Sequence, residues 1–158
     1  MVLFLDFDGV LHAPRVDVLF ARVPLFEQAL NQYPNLDIVV SSSWRESHSL
    51  EELRSYFSQE FQPRLLGVTP VFPLHLVKWA DDSGFFLGSQ GLRQKEVEDY
   101  MFNHYPNATP WIAIDDQPEL FSEDASLIYT PNGFDEKSIE ELAHWVKAVQ
   151  GKPIVMFK

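Results

Sequence analysis

Val2-Leu3-Phe4-Leu5-Asp6-Phe7-Asp8-Gly9 is the stretch that decides the fold. Four apolar residues in a row, without polar alternation, have the pattern of a strand buried on both faces of a parallel sheet. The run stops on two carboxylates spaced i and i+2, and a glycine after them lets the backbone turn sharply. The pattern returns downstream. Asp37-Ile38-Val39-Val40 runs into Ser41-Ser42-Ser43, and Trp111-Ile112-Ala113-Ile114 runs into Asp115-Asp116. Leu65-Leu66-Gly67-Val68 and Leu127-Ile128-Tyr129 are two further strand candidates.

Helical periods lie between these runs: Phe26, Leu30 and Tyr33 after Pro24; Leu50, Leu53 and Phe57; Val97, Tyr100, Met101 and His104; Ile139, Leu142, Ala143 and Val146. Pro24 suits a first helical turn, and Asp135 is placed to cap the last helix before Glu136. Alternating strands and helices predict an α/β class domain, a three-layer α/β/α Rossmann-like arrangement around a mainly parallel sheet. In such sheets ligands sit beyond the carboxyl ends of the strands. The acids and serines that end the apolar runs should therefore converge at one rim.

With 158 residues and no low-complexity block or repeat, the chain reads as a single domain over 1–158. The absence of cysteine removes thiolate-ligated zinc, iron–sulfur clusters and thiol catalysis. Twelve basic residues against 23 acidic ones give a net charge of −11, which opposes general nucleic-acid binding, because that binding relies on Lys and Arg displacing counterions. One phosphate group can still be held locally. The start of the chain lacks the basic and long apolar segments of a secretory signal, and no apolar run is long enough to span a bilayer. A soluble, cytoplasmic protein without membrane partners is expected.

Asp6, Asp8, Asp115 and Asp116 collect up to four acids in one place, whose mutual repulsion calls for a compensating cation or protons. Magnesium is the expected ion, a hard cation that takes carboxylate, water and phosphate oxygens. The segment from Asp6 to Gly9 does not continue with the ligand spacing of a calcium loop. Each motif also has a plainer reading: Asp-x-Asp-Gly as a turn, the serines as a strand-to-helix turn, Asp115-Asp116 as a cap before Pro118. Their coincidence at strand ends favours a site. A phosphate near several acids also needs a side-chain cation, and Arg93 or Lys95 supplies it.

Trp44 and Arg45 are candidate substrate-binding residues, by stacking and clamping; equally, Trp44 suits the core and Arg45 a surface ion pair. Residues 69–92, with Phe72, Phe85 and Phe86, are a candidate small lid, or pack against the core. His12, His48, His75, His104 and His144 show no metal-ligand spacing.

Taken together, these residues resemble the haloacid dehalogenase (HAD) superfamily of aspartate-based phosphohydrolases. Leu5-Asp6-Phe7-Asp8-Gly9-Val10, Val39-Val40-Ser41, Arg93 or Lys95, and Ile114-Asp115-Asp116 match its four motifs in order. Ser41-Ser42-Ser43-Trp44-Arg45, Gly67-Val68-Thr69-Pro70 and Arg93-x-x-Glu96-Val97 narrow the likeness to the small HAD family of Swiss-army-knife RNA-repair proteins, in which Arg93 takes the third motif's place and Lys95 is the second choice. The resemblance implies a magnesium-dependent phosphatase. Asp6 would be the nucleophile and Asp8 the acid–base group; Ser41 and Ser42 would bind phosphate with the cation of motif three. Asp6, the Asp8 carbonyl, and Asp115 or Asp116 would hold Mg2+. It implies as substrate a phosphorylated small molecule or a nucleic-acid end. A receiver-type phosphoacceptor domain and a catalytically silent binding module are the alternatives; the first places its acceptor aspartate after the third strand, where this chain has Thr69-Pro70.

Overall fold

Each of the apolar runs forms a strand, and all five lie parallel in one sheet. In the computed structural model, which describes residues 1–13, 18–73, 91–105, 107 and 109–150, the strands are β1 (Val2–Leu5), β2 (Asp37–Val40), β3 (Leu65–Val68), β4 (Trp111–Asp115) and β5 (Leu127–Tyr129). Four helices accompany them among the described residues: α1 (Val23–Leu30), α2 (Leu50–Arg54), α3 (Leu92–His104) and α4 (Glu136–Gln150). The sheet order is β3-β2-β1-β4-β5. The chain thus builds outward from β1 to β3, then crosses back to the other side of β1. That reversal puts a topological switch point at the carboxyl end of β1 and β4, where open α/β sheets bind ligands.

Side chains alternate across a strand, so each run feeds two cores. Leu3, Leu5, Ile38, Val40, Ile112 and Ile114 face α1, α2 and α4, packing with Phe26, Leu30, Leu53 and Leu142. Val2, Phe4, Val39 and Ala113 face α3 and pack with Val97, Tyr100 and Met101. Phe4 sits edge-on between Tyr100 and Trp111, with ring centroids 5.8 and 6.1 Å apart. A fully buried Val, Leu or Phe contributes about 1.5–3 kcal/mol, so both faces help to fix the register. Helix α4 is capped as its sequence predicts, with the Ser138 backbone N–H donating to Asp135 Oδ1 at 3.0 Å. At the foot of the molecule, Arg64 donates to the Leu30 and Tyr33 carbonyls at the end of α1.

Two expectations shift. The helical period through Tyr33 ends at Leu30, and that through Phe57 ends at Arg54; Tyr33 and Phe57 still pack on the core, from the turns that follow. Of the candidate lid at 69–92, residues 74–90 lie outside the described residues. No described helix is long and apolar enough to cross a membrane.

Candidate active site

Register delivers the site. Leu5 pairs with Val40 on one side and Ile114 on the other, and Val40 pairs with Val68, so the next residues form a row along the carboxyl rim: Thr69, Ser41, Asp6, Asp115. The ladder continues one step past the strands. Ser41 N donates to the Leu5 carbonyl, Asp6 N to Ile114 and Thr69 N to Val40, at 2.9, 3.1 and 2.9 Å. These bonds fix the backbone under each functional side chain.

Asp6, Asp115 and Asp116 each place a carboxylate oxygen within 4.8 Å of the others'. Arg93, from the first turn of α3, is buried against them: Nη1 lies 2.7 Å from Asp115 Oδ2 and 3.2 Å from Asp6 Oδ1. Of the two candidate cations, Arg93 is the one brought to the acids. Lys95 is turned to a surface depression with Gln94, Glu98 and Ser122, away from the acids. With all three acids ionised, one guanidinium leaves two negative charges uncompensated, which is the charge of one divalent cation.

The electrostatics carry that imbalance. Burial, together with the Asp6 charge, pushes the Asp115 carboxyl up to about 7, against the opposing pull of Arg93 and the Gln117 backbone N–H. Asp116 is raised by the same two causes. Burial opposes the charge of Arg93, yet Asp6 and Asp115 more than offset it and raise its pKa. Asp6 Oδ2, Ser41 Oγ, Thr69 Oγ1 and Asp116 Oδ1 are buried with no hydrogen-bond partner among the described residues. An orphaned buried polar atom costs about 1–3 kcal/mol, and four at one rim suit a site shaped for oxygen-rich ligands and a metal ion. The donor set is all oxygen, as Mg2+ requires.

Gly9 is the hinge of the arrangement. Its φ is +70°, a conformation that favours glycine, and a Cβ there would lie 2.0 Å from Asp116 Oδ2. Asp116, just after β4, therefore packs directly on the backbone of the loop after β1. Thr130, after β5, steadies the same loop by donating from Oγ1 to the Gly9 carbonyl at 3.3 Å.

Three further residues named from the sequence have their polar groups engaged within the protein. Ser42 is fully buried, and its hydroxyl accepts the Trp44 N–H, capping the turn Ser43–Glu46; Ser41 is the serine with an unpartnered hydroxyl. Arg45, a candidate clamp, is turned into the protein. Its guanidinium donates to the carbonyls of Ser41, Ser42, Thr69 and Pro70, and at 2.6 Å to Glu96 Oε2, so its donors are committed within the protein. It is not a surface ion-pair partner, because that pair is buried. Trp44 is half-buried and spends its indole N–H on Asp8.

Sequence reasoning passed over Glu96 as a working residue. An acid three positions after Arg93, directly before the apolar Val97, was its signal. His12, which has no metal-ligand spacing, lies four residues from Asp8 and contacts it. Over residues 2–149 the chain matches the family model described as the HAD domain in Swiss Army Knife RNA repair proteins. No curated protein matches it.

Proposed function

The chain belongs to the family of HAD domains found in Swiss Army Knife RNA repair proteins, and from that membership we propose that it is a magnesium-dependent phosphatase working through an aspartyl-phosphate. One observation carries the reading: three carboxylates within 4.8 Å of one another, partnered by one buried arginine and bordered by an unpartnered Ser41 hydroxyl.

Asp6, the Asp8 carbonyl and Asp115 or Asp116 would hold Mg2+, which supplies charge neutralisation so that an anionic phosphate can approach anionic Asp6. A carboxylate oxygen of Asp6 forms a bond to phosphorus while the bond to the ester oxygen breaks. Asp8 gives that oxygen its proton. Water then attacks the phosphorus of the aspartyl-phosphate and yields a proton to Asp8. The bond to Asp6 breaks, releasing phosphate and restoring both aspartates. Ser41 donates to a phosphoryl oxygen, and Arg93 offsets its charge. The receiver-type alternative lacks support at β3, whose carboxyl end carries Thr69.

The family description and the open position of Asp8 favour a nucleic-acid end as substrate, recognised at its terminal phosphate rather than along the strand, in keeping with the −11 charge. Purified protein is incubated with Mg2+ and oligonucleotides phosphorylated at the 3′ or 5′ end, with sugar phosphates alongside, and phosphate release is compared with that of Asp6→Asn. Release by the wild type and none by the variant is expected. Equal release from both defeats the mechanism, and no preference for oligonucleotides over sugar phosphates defeats the substrate class.

A further inference from the structure

The Asp8 carboxylate stands apart from the acids around Arg93. Its side chain is 55% exposed, and it is not among the carboxylates that cluster there. Both of its oxygens are nevertheless held. The indole Nε1–H of Trp44 reaches Oδ1 and Oδ2 at 3.0 Å each, and His12 Nε2 lies 2.9 Å from Oδ1. An exposed carboxylate ordinarily keeps its rotamer freedom, so a grip of this kind on a surface aspartate calls for an explanation.

The grip is rigid because its donors are packed. Trp44 stacks on His48 with centroids 5.0 Å apart, and Phe20 and Tyr56 meet it edge-on at 5.2 and 5.5 Å. Phe20 stacks on Tyr56 and has φ 59°, a left-handed conformation uncommon for a bulky residue, which persists only where surrounding contacts over-determine it. His12 is buried against Phe20, and its Nδ1 has neither solvent nor, among the described residues, a partner. A proton on Nδ1 would be a buried donor without an acceptor. The neutral ring therefore carries its proton on Nε2 and donates it to Asp8 Oδ1. Oδ1 receives two N–H groups; Oδ2 shares one.

We infer that Trp44 and His12 are positioning residues that aim the Asp8 carboxyl, with Oδ2 as the atom that exchanges the proton. The inference rests on the phosphatase reading and extends it. In the acid form Oδ1 is the carbonyl oxygen and goes on accepting both N–H groups, while the Oδ2 proton passes to the departing ester oxygen as the Asp6–phosphorus bond forms. Neither ring touches the substrate; both act through Asp8. An unrestrained carboxyl would be misaimed most of the time, and an error of about 1 Å in a reacting group costs on the order of 10²-fold. The loss must grow with the basicity of the leaving group, because a basic oxygen depends most on being protonated.

Trp44→Phe keeps a flat ring in the aromatic packing and removes the N–H. Wild type and variant are compared on 4-nitrophenyl phosphate, phenyl phosphate and an alkyl phosphate by kcat/KM, which covers only the steps through departure of the leaving group. Near-UV circular dichroism checks the fold. The alkyl-to-nitrophenyl ratio of kcat/KM is expected to fall about tenfold in Trp44→Phe, with phenyl phosphate between, and His12→Gln is expected to shift it the same way by less. An equal loss on all three esters, as a general packing defect would give, overturns the inference; so does an unchanged series. If Trp44→Phe does not fold, His12→Gln decides by the same ratio. A wild-type protein that releases phosphate neither from these esters nor from end-phosphorylated oligonucleotides overturns the phosphatase reading itself, and so is told apart from failure of the positioning role.

Discussion

Replacing Gly9 by alanine separates two costs that glycine usually hides together. The first is conformational: a φ of +70° costs an alanine about 1–2 kcal/mol, less about 0.4–1 kcal/mol regained from the stiffer unfolded chain, leaving a net cost of about 1 kcal/mol. The second is collision. The new Cβ would stand 2.0 Å from Asp116 Oδ2, 2.2 Å from Cγ and 2.7 Å from Cβ. A new rotamer can clear the first two atoms but not the third, which moves only with the backbone after β4. Overpacking of that kind costs about 1–3 kcal/mol, for a total of about 2–4 kcal/mol. Gly91 is the control, with φ +69° and nothing among the described residues within 4 Å of its Cβ position, so Gly91→Ala carries the first cost alone. At about 2–4 °C per kcal/mol for a chain of this size, Gly9→Ala should lower Tm by about 4–16 °C and Gly91→Ala by about 2–4 °C. Calorimetry gives the shifts, and phosphate release against Mg2+ concentration gives the functional consequence. Because Asp116 is displaced, Gly9→Ala should also lose at least about tenfold in activity, as expected where reacting geometry moves by an ångström. Equal Tm losses at the two glycines, or Gly9→Ala with wild-type magnesium dependence, would refute the packing of Asp116 on the β1 loop.

Mg2+ at a hundred times its dissociation constant should stabilise the wild type by about 2.7 kcal/mol, and Asp116→Asn should lose much of that gain in the same melting scan. Glu96→Gln strands the buried Arg45 charge and should cost about 3–5 kcal/mol in urea unfolding, with activity falling although Glu96 is assigned no contact with substrate. At the start of α4, the Ser138 backbone N–H holds the Asp135 carboxyl below its usual value, so its contribution is present above the unfolded-state pKa and is lost as pH falls through the folded one. Asp135→Ala should cost about 1 kcal/mol near neutral pH, whereas Asp135→Asn should keep the cap and remove that pH dependence, both read from unfolding midpoints between pH 3 and 7.

The strands were legible because burial on both faces leaves a run of four apolar residues with no other economical fate, as at Val2–Leu5. The rim was legible for the same reason: register carries whatever follows each run to one edge, so Asp6, Ser41 and Asp115 could be named together before any distance was known. What could not be read was which donor serves which acceptor. Trp44 meets Asp8 across 36 positions and Arg45 meets Glu96 across 51, and such pairings leave no periodic trace. Ser41 and Ser42 are alike as letters. They differ because the turn Ser43–Glu46 needs a cap and takes Ser42 for it.

The two buried arginines also explain how one helix can set the site's dimensions. Arg93 and Glu96 lie three residues apart on α3, near enough to share one face of the helix. Arg93 ties that face to Asp6 and Asp115, at the ends of β1 and β4. Glu96 ties it to Arg45, and it accepts the Phe72 backbone N–H as well. Arg45 in turn holds the carbonyls of Ser41 and Ser42 after β2 and of Thr69 and Pro70 after β3. The spacing between the Asp6 carboxylate and the Ser41 hydroxyl is therefore governed twice, by the β-ladder beneath and by α3 above. A shift of the helix would move cation and hydroxyl together relative to Asp6. The buried Arg45–Glu96 pair lies where ions are costly to desolvate, and its most direct justification is this coupling rather than any net gain in stability.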